Sequence, residues 1–430
     1  MIAWNKSEVN SQNLSCAILN PVTDIPPTPV AISPQTNPAP GGRGLGSIRA
    51  VYFLYYAAYG IFITYINLYY QSIGLSGTQI GLINTLAPLV GIFSGTLWGM
   101  VNDRFGRIRL LLLVTCTGTI LSVLGLSRAQ TFLSIMPLAG LYSLFTSPIP
   151  PLLDNINLSI LGGRRQAYGR QRIFGSVGYI LTTWGFGLIL QRIGLSYLFV
   201  SCALFMLLAC LALAWLPNQP VKWTQSLRKG LSALFRQPDW IFFSASVFLL
   251  WMASSGMYNF LGIYLKSMGG SDSLVGSSSS LSAITETPVM LFSAYLVGKF
   301  GSKRLLYVAF FLYSLRMLLY GLMPSPNWAL AIALMHGSTF GFFWIASVTH
   351  VNSLAPENLK ATSQGLFWTT MNLANVVGSP IGGVLYDRIG PASLFKLFAG
   401  YCAAAFLLFL LWNAVLSKRR ERKKASLMVS

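Results

Sequence analysis

The residues of this sequence best able to do chemistry are a few ionisable side chains set among apolar neighbours. Of ten Asp and Glu residues, two fall deep inside long apolar runs: Asp154 and Glu286. Arg316 and His336 fall in similar surroundings, and Arg172 stands at the edge of a run. An ionisable group in such a place is costly, and it persists where it grips a polar solute, pairs with a countercharge or exchanges a proton. Arg172 offers a partner to Asp154. Arg316 stands about seven residues before the turn MPSPN (323–327) and His336 about nine after it, so at about 1.5 Å per residue the two reach similar depths on an antiparallel helix pair. They can therefore face one another or share Glu286. The same spacing also suits purely structural ion pairs, and His336 alone could be an interhelical hydrogen-bonder. His350, near the end of a run, takes no role.

Such residues need apolar helices to hold them. The chain has 430 residues, 54% hydrophobic and 9% charged, with a mean hydropathy of +0.59. A soluble domain would carry about a quarter of its residues as charges. A bilayer core about 30 Å thick takes about 20 apolar residues per helix, and the runs divide into twelve such spans. They lie near 48–70, 78–101, 107–126, 131–161, 170–190 and 194–216, then near 239–267, 272–299, 303–323, 327–353, 360–387 and 391–416. The expected fold class is an all-α membrane protein.

The formal charge of +20 raises the question of nucleic acid, and position answers it. With both termini cytoplasmic, 24 of the 30 basic residues fall on that side. Arg128, Arg192, Lys266, Arg388 and Lys396 fall on the other, and Arg316 lies within a span. This is the positive-inside asymmetry of a multi-pass protein of the plasma (inner) membrane. The charge therefore reports topology, and the partner it implies is a lipid bilayer and not a nucleic acid.

Residues 1–47 are rich in Pro and Gly and read as a disordered cytoplasmic tail without the features of a signal peptide. GRGLGS at 42–47 is preceded by no strand and is no nucleotide fingerprint. Cys116, Cys202, Cys210 and Cys402 lie in spans and Cys16 in the tail. Their spacing suggests neither a zinc site nor a disulfide framework, and no metal or cofactor is expected.

The chain also repeats itself. A shift of 195 brings Tyr69 onto Tyr264, Ser72 onto Ser267, Gly74 onto Gly269, Gly81 onto Gly276 and Phe105-Gly106 onto Phe300-Gly301. A shift of 196 brings QRIG at 191–194 onto DRIG at 387–390. The reading is two six-helix bundles, 48–216 and 239–416, joined by a basic cytoplasmic connector at 217–238 and followed by a basic cytoplasmic tail at 417–430. A solute site belongs between the bundles near the bilayer midplane.

GMVNDRFGR, residues 99–107, packs charge between two apolar runs. It resembles the signature loop between the second and third helices of the major facilitator superfamily, except that Ile108 stands where the family has a further basic residue. The resemblance implies a conformational clasp made by Gly99, Asp103, Arg104, Gly106 and Arg107. The second-half counterpart, YLVGKFGSKR, has Gly298 opposite Asp103, so a clasp there is weaker.

YGRQRIFGSVGY (168–179), FLYYAAYGIF (53–62) and LMHGSTF (334–340) are similar to the lactose-permease and phenylpropionate-permease branch of that superfamily. That similarity implies a substrate-binding role for Asp154, for its partner Arg172 and for Tyr179, which stands where a tryptophan stacks on sugar. It also implies a proton-coupling role for Glu286, Arg316 and His336. Two departures stand out: Thr339 replaces the coupling acid three residues after the histidine, and Ala333 replaces a lysine three before it. In the tyrosine-rich first helix, Tyr59 and Tyr65 lie deep enough to stack on a ring-bearing solute, and the rest suit packing or the interfacial belt. SPIPP at 147–151 must break the fourth helix, and NVVGSPIGG at 375–383 reads as a hinge or packing element.

These readings converge on a secondary transporter working by alternating access, in the first place a monomeric proton symporter. Its partners are a small-molecule solute (a sugar, nucleoside or aromatic acid) and protons. The alternatives are a drug or metabolite efflux antiporter and a non-transporting membrane sensor. No Walker loop and no His-Glu-x-x-His is present, so an enzyme is not expected.

Overall fold

The structure is a computed structural model that describes residues 42–105, 107–161, 168–216, 237–355 and 359–429. Every regular element among them is helical. The first half comprises α1 (Gly42–Ser72), α2 (Gly77–Phe105), α3 (Ile108–Leu126), α4 (Phe132–Thr146), α5 (Ile149–Leu161), α6 (Tyr168–Ile193) and α7 (Tyr197–Leu213). The second comprises α8 (Pro238–Ser267), α9 (Asp272–Leu291), α10 (Ser293–Phe300), α11 (Ser302–Leu322) and α12 (Trp328–Ala333), a π-helical turn (Gly337–Gly341), α13 (Phe342–Leu354), α14 (Lys360–Ile389) and α15 (Pro391–Val429).

Nine stretches among the described residues are long and apolar enough to cross a membrane, and a tenth if α9 and α10, bent by 65°, make one span. The two remaining expected positions differ for separate reasons. Helix α7 is apolar but only 17 residues long. Helix α14 has 30 residues but fewer apolar ones, because it packs between α2 and α8 and needs less lipid-facing surface. Outward faces are apolar, as at Leu133, Leu204 and Trp215, while tyrosines and Arg316 are among the most buried side chains. That is the distribution a lipid solvent imposes.

Irregularities fall where proline or glycine puts them. SPIPP separates α4 from α5, as its prolines require. Pro288 removes a rung from α9 just before the bend at Phe292. Helix α1 begins at Gly42, ahead of the expected residue 48, because Leu45 and Ile48 already pack on the core. Helix α15 runs on to Val429, past the expected 416.

The repeat is realised atom by atom. The turn after α1 has Gly74 at φ 88° and the turn after α8 has Gly269 at φ 84°, a left-handed conformation that favours glycine. In both turns the serine two residues earlier donates to a tyrosine carbonyl: Ser72 to Tyr69 at 2.8 Å and Ser267 to Tyr264 at 2.7 Å. Gly194 and Gly390, the glycines of QRIG and DRIG, form a second such pair at φ 96° and 76°.

Gly77, at the end of the molecule away from the start of α1, touches Asp387 near the end of α14. Helix α15 therefore returns to the end where α1 begins, here called proximal; the other is distal. At the distal end α2 crosses α14 and α6 crosses α9. A Cβ at Gly81 would collide with the Ser379 carbonyl, and one at Gly276 with the Thr183 carbonyl. These are repeat-related contacts, since 183 and 379 differ by 196. Neutral hydrogen bonds complete the closure. Asn67 donates to Asn259 O at 3.1 Å, Tyr65 donates to Thr183 O at 2.5 Å, and the Thr183 and Ser280 hydroxyls lie 2.6 Å apart.

Candidate functional site

Below this closure, two clusters of ionisable residues occupy the two halves. In the first half, α5 presents Asp154 and α6 presents Arg172, with their Oδ1 and Nε 3.9 Å apart. The pair is loose, and each member is held more tightly by α1. Tyr52 Oη donates to Asp154 Oδ1 at 2.6 Å. Arg172 Nη2 donates to Tyr56 Oη at 2.7 Å, and its guanidinium lies 4.3 Å from the Tyr56 ring centroid, within cation–π range. Both charged side chains remain about one-third exposed, at 34% for Arg172 and 35% for Asp154. Neither is sealed inside the helix packing.

Tyr59 continues this row of rings, stacked on Tyr55 at 6.2 Å between centroids and edge-on to Tyr56 at 6.2 Å. Tyr179 lies across α1 at Gly60, where a Cβ would be 3.0 Å from its ring. Tyr65 is elsewhere. It is wholly buried and its hydroxyl is committed to Thr183 O in the distal closure, because six further residues carry it about 9 Å along the helix from Tyr59. In this conformation it meets no solute.

In the second half, α11, α9 and the turn after α12 converge. Arg316 Nη1 reaches His336 Nδ1 at 2.9 Å and donates to Thr339 Oγ1 at 3.2 Å; Nη2 donates to Tyr320 Oη at 3.3 Å. An arginine has no acceptor to offer, so His336 Nδ1 is the accepting nitrogen and Nε2 carries the hydrogen. That nitrogen faces Glu286, with Nε2 3.6 Å from Oε2. Arg316 and Glu286 are thus joined through the imidazole, in the facing arrangement expected of Arg316 and His336. Thr339 receives the guanidinium at the position where the resemblance calls for an acid, so a neutral acceptor replaces a charged one. Arg316 Nε finds no acceptor.

Local backbone explains the convergence. Gly337 lies so close to α9 that a Cβ there would collide with the Thr285 carbonyl, and its N–H donates to Thr285 Oγ1 at 3.2 Å. The next residue on α9 is Glu286. The π-helical turn begins directly after His336, and such turns recur at functional sites. Glu286 is 30% exposed and His336 buried. Counting from the Thr183–Ser280 contact, Tyr179 lies about 6 Å and Glu286 about 9 Å toward the proximal end. Both lie just below the distal closure.

Sequence reasoning placed the charged residues and passed over Tyr52 and Tyr56. Their spacing of four from one another, with Tyr59 three further on, marks one helix face and was the available signal. Of the expected clasp, Gly99, Asp103 and Arg104 lie in the last turns of α2, but the side chains of Asp103 and Arg104, and all of Gly106, fall outside the described residues. Arg107 is exposed at the start of α3 and caps no backbone group with its side chain.

Comparison with known proteins gives consistent results. The model of the MFS_1 like family matches residues 45–397. The chain is 26% identical over 375 residues to the maltose permease of Geobacillus stearothermophilus, covering 86% of this chain and 94% of the relative. It is 26% identical over 348 residues to a probable 3-phenylpropionic acid transporter of Escherichia coli, covering 79% and 90%. Among solved structures, the nucleoside transporter NupG aligns with a TM-score of 0.73 at 20% identity, covering 85% of this chain and 98% of that one. That likeness shows the fold.

Proposed function

Since the chain belongs to the MFS_1-like family of membrane transporters, and is a secondary transporter of a small organic solute rather than an enzyme, we propose that it couples uptake to protons. The observation that carries the proposal is the Glu286–His336–Arg316 chain of the second half, set below the same distal closure as the Asp154–Arg172 pair of the first. The solute is gripped by Asp154, Arg172 and the Tyr56–Tyr59–Tyr179 face, with Tyr65 joining when the distal closure opens. Hydroxyls and ring faces suit that lining. Relatives named for maltose and 3-phenylpropionic acid, and the nucleoside transporter of like fold, support a sugar, nucleoside or aromatic acid.

Glu286 carries the proton. It is the acid of the second-half cluster and remains 30% exposed, so rocking of the halves can open it to one side of the membrane and then to the other. His336 holds the Arg316 charge one imidazole away. The protein works as a twelve-span monomer in the plasma membrane with both termini cytoplasmic, as the basic asymmetry of the sequence supports. The proximal end then faces the cytoplasm. Uptake into proteoliposomes of a panel of sugars, nucleosides and aromatic acids, with and without an imposed pH gradient, tests this. Uphill accumulation of one class only under the gradient is expected, and accumulation indifferent to the gradient would refute the coupling.

A further inference from the structure

We propose that Asp387 is the latch that holds the distal mouth shut, and that the latch works on one flank only. Asp387 ends α14 in the second half, yet its carboxylate caps the N-terminus of α2 in the first. Oδ1 accepts from the Gly77 N–H at 2.7 Å. Oδ2 accepts from the Thr78 N–H at 2.8 Å and from the Thr78 hydroxyl at 2.7 Å. The first N–H groups of a helix have no intrahelical acceptor and carry the positive end of its dipole. A carboxylate there makes charge-assisted bonds, about twice as strong as neutral ones. All three partners belong to the opposite half, some 310 residues away in sequence. A cap within one helix stabilises that helix in every state. This cap exists only while the two halves touch distally, so it contributes to one state and is lost in the other.

The other flank has the same backbone contact without the latch. Gly187 meets the start of α9 as Gly383 meets the start of α2: a Cβ at Gly187 would crowd Asp272 O and Ser273 Cα, and one at Gly383 would crowd Gly77 O and Thr78 Cα. The repeat puts Gln191 where Asp387 stands and Asp272 where Gly77 stands. Asp272 is already bound by Lys266, with Oδ1 2.8 Å from Nζ, and its charge would repel a carboxylate at position 191. Between α6 and α9 the bonds are neutral, from the Thr183 and Ser280 hydroxyls. Distal opening is therefore governed by the α2–α14 flank, where, among the described residues, only Asp387 brings a charge across.

The test is a distance distribution across the distal mouth. Spin labels at Gln130→Cys and Asn327→Cys, exposed positions in the distal loops of the two halves, are introduced after replacement of the native cysteines. Asp387→Asn should raise the population of long distances about tenfold relative to short ones, the size of losing hydrogen bonds to a charged group. Thr78→Val, which removes one of the three bonds and keeps the fold, should shift it less. Asp387→Glu should restore much of the short-distance population. Distributions of Asp387→Asn and Thr78→Val that superimpose on the parent would overturn the proposal. So would a lowered melting temperature in Asp387→Asn with an unchanged distribution, since that is the result of an ordinary helix cap.

Discussion

The two halves of this molecule descend from one repeat, yet they keep their charges in opposite ways. Asp154 and Arg172 stand 3.9 Å apart, about one-third exposed, each held chiefly by a tyrosine of α1. Arg316 is almost wholly buried and joined to its carboxylate through an imidazole. A loose, wet ion pair has little net worth as a stabiliser, and its groups are available to something that enters from solvent. A buried cation bound to neutral acceptors is available to nothing, but its field acts on whatever lies just beyond. On the function proposed above, the difference separates recognition from coupling: the half with weak mutual bonds would hold the solute, and the half with a shielded charge would carry the proton coupling.

The largest effect should come from breaking the recognition pair. Asp154→Ala and Arg172→Ala should each abolish solute binding, measured by isothermal titration of purified protein, while melting temperatures change little. Normal binding by both variants would remove the first-half site altogether. Next comes Glu286→Gln, which fixes the neutral form. It should lose accumulation driven by a pH gradient and keep counterflow exchange, which moves no net proton. Gradient-driven accumulation persisting in Glu286→Gln would transfer coupling elsewhere and erase the division between the halves. Tyr52→Phe is milder. It removes the 2.6 Å bond to Asp154 and should weaken binding by about tenfold, the worth of a hydrogen bond to a charged group, with the same proton dependence as the parent.

How far this contrast could be read from sequence depends on the kind of information each part needs. Span positions were legible because lipid demands long apolar runs, and the repeat was legible because glycines such as Gly74 and Gly269 are fixed by backbone conformation. The helix that gave least signal, α14, packs between α2 and α8, where hydroxyls and glycines serve better than leucine. The facing of Arg316 and His336 followed from helix rise alone. What could not be read was who touches whom across helices. Tyr52 and Tyr56 looked like any other ring of a tyrosine-rich helix until α5 and α6 placed charges against them. Tyr65 has the same composition around it, and its commitment to Thr183 follows from where α6 crosses α1. Asp387 was hidden for the same reason, since its partners lie in the other half.

The smallest effect on transport, and the sharpest on the contrast, should come from Thr339→Val. Valine keeps the shape of threonine and removes the hydroxyl that receives Arg316 at 3.2 Å. No solute contact is lost, so affinity should match the parent within error. The guanidinium already has an unmatched Nε, and a second unmatched donor in a buried place costs about 1–3 kcal/mol. The expected result is a lower melting temperature in detergent with binding unchanged. Asp154→Ala should give the reverse pattern, binding lost and melting temperature kept, because its pair is open to water. A Thr339→Val protein that melts like the parent would mean that the second-half cluster is as loosely held as the first, and the assignment of shielding to one half and recognition to the other would fail.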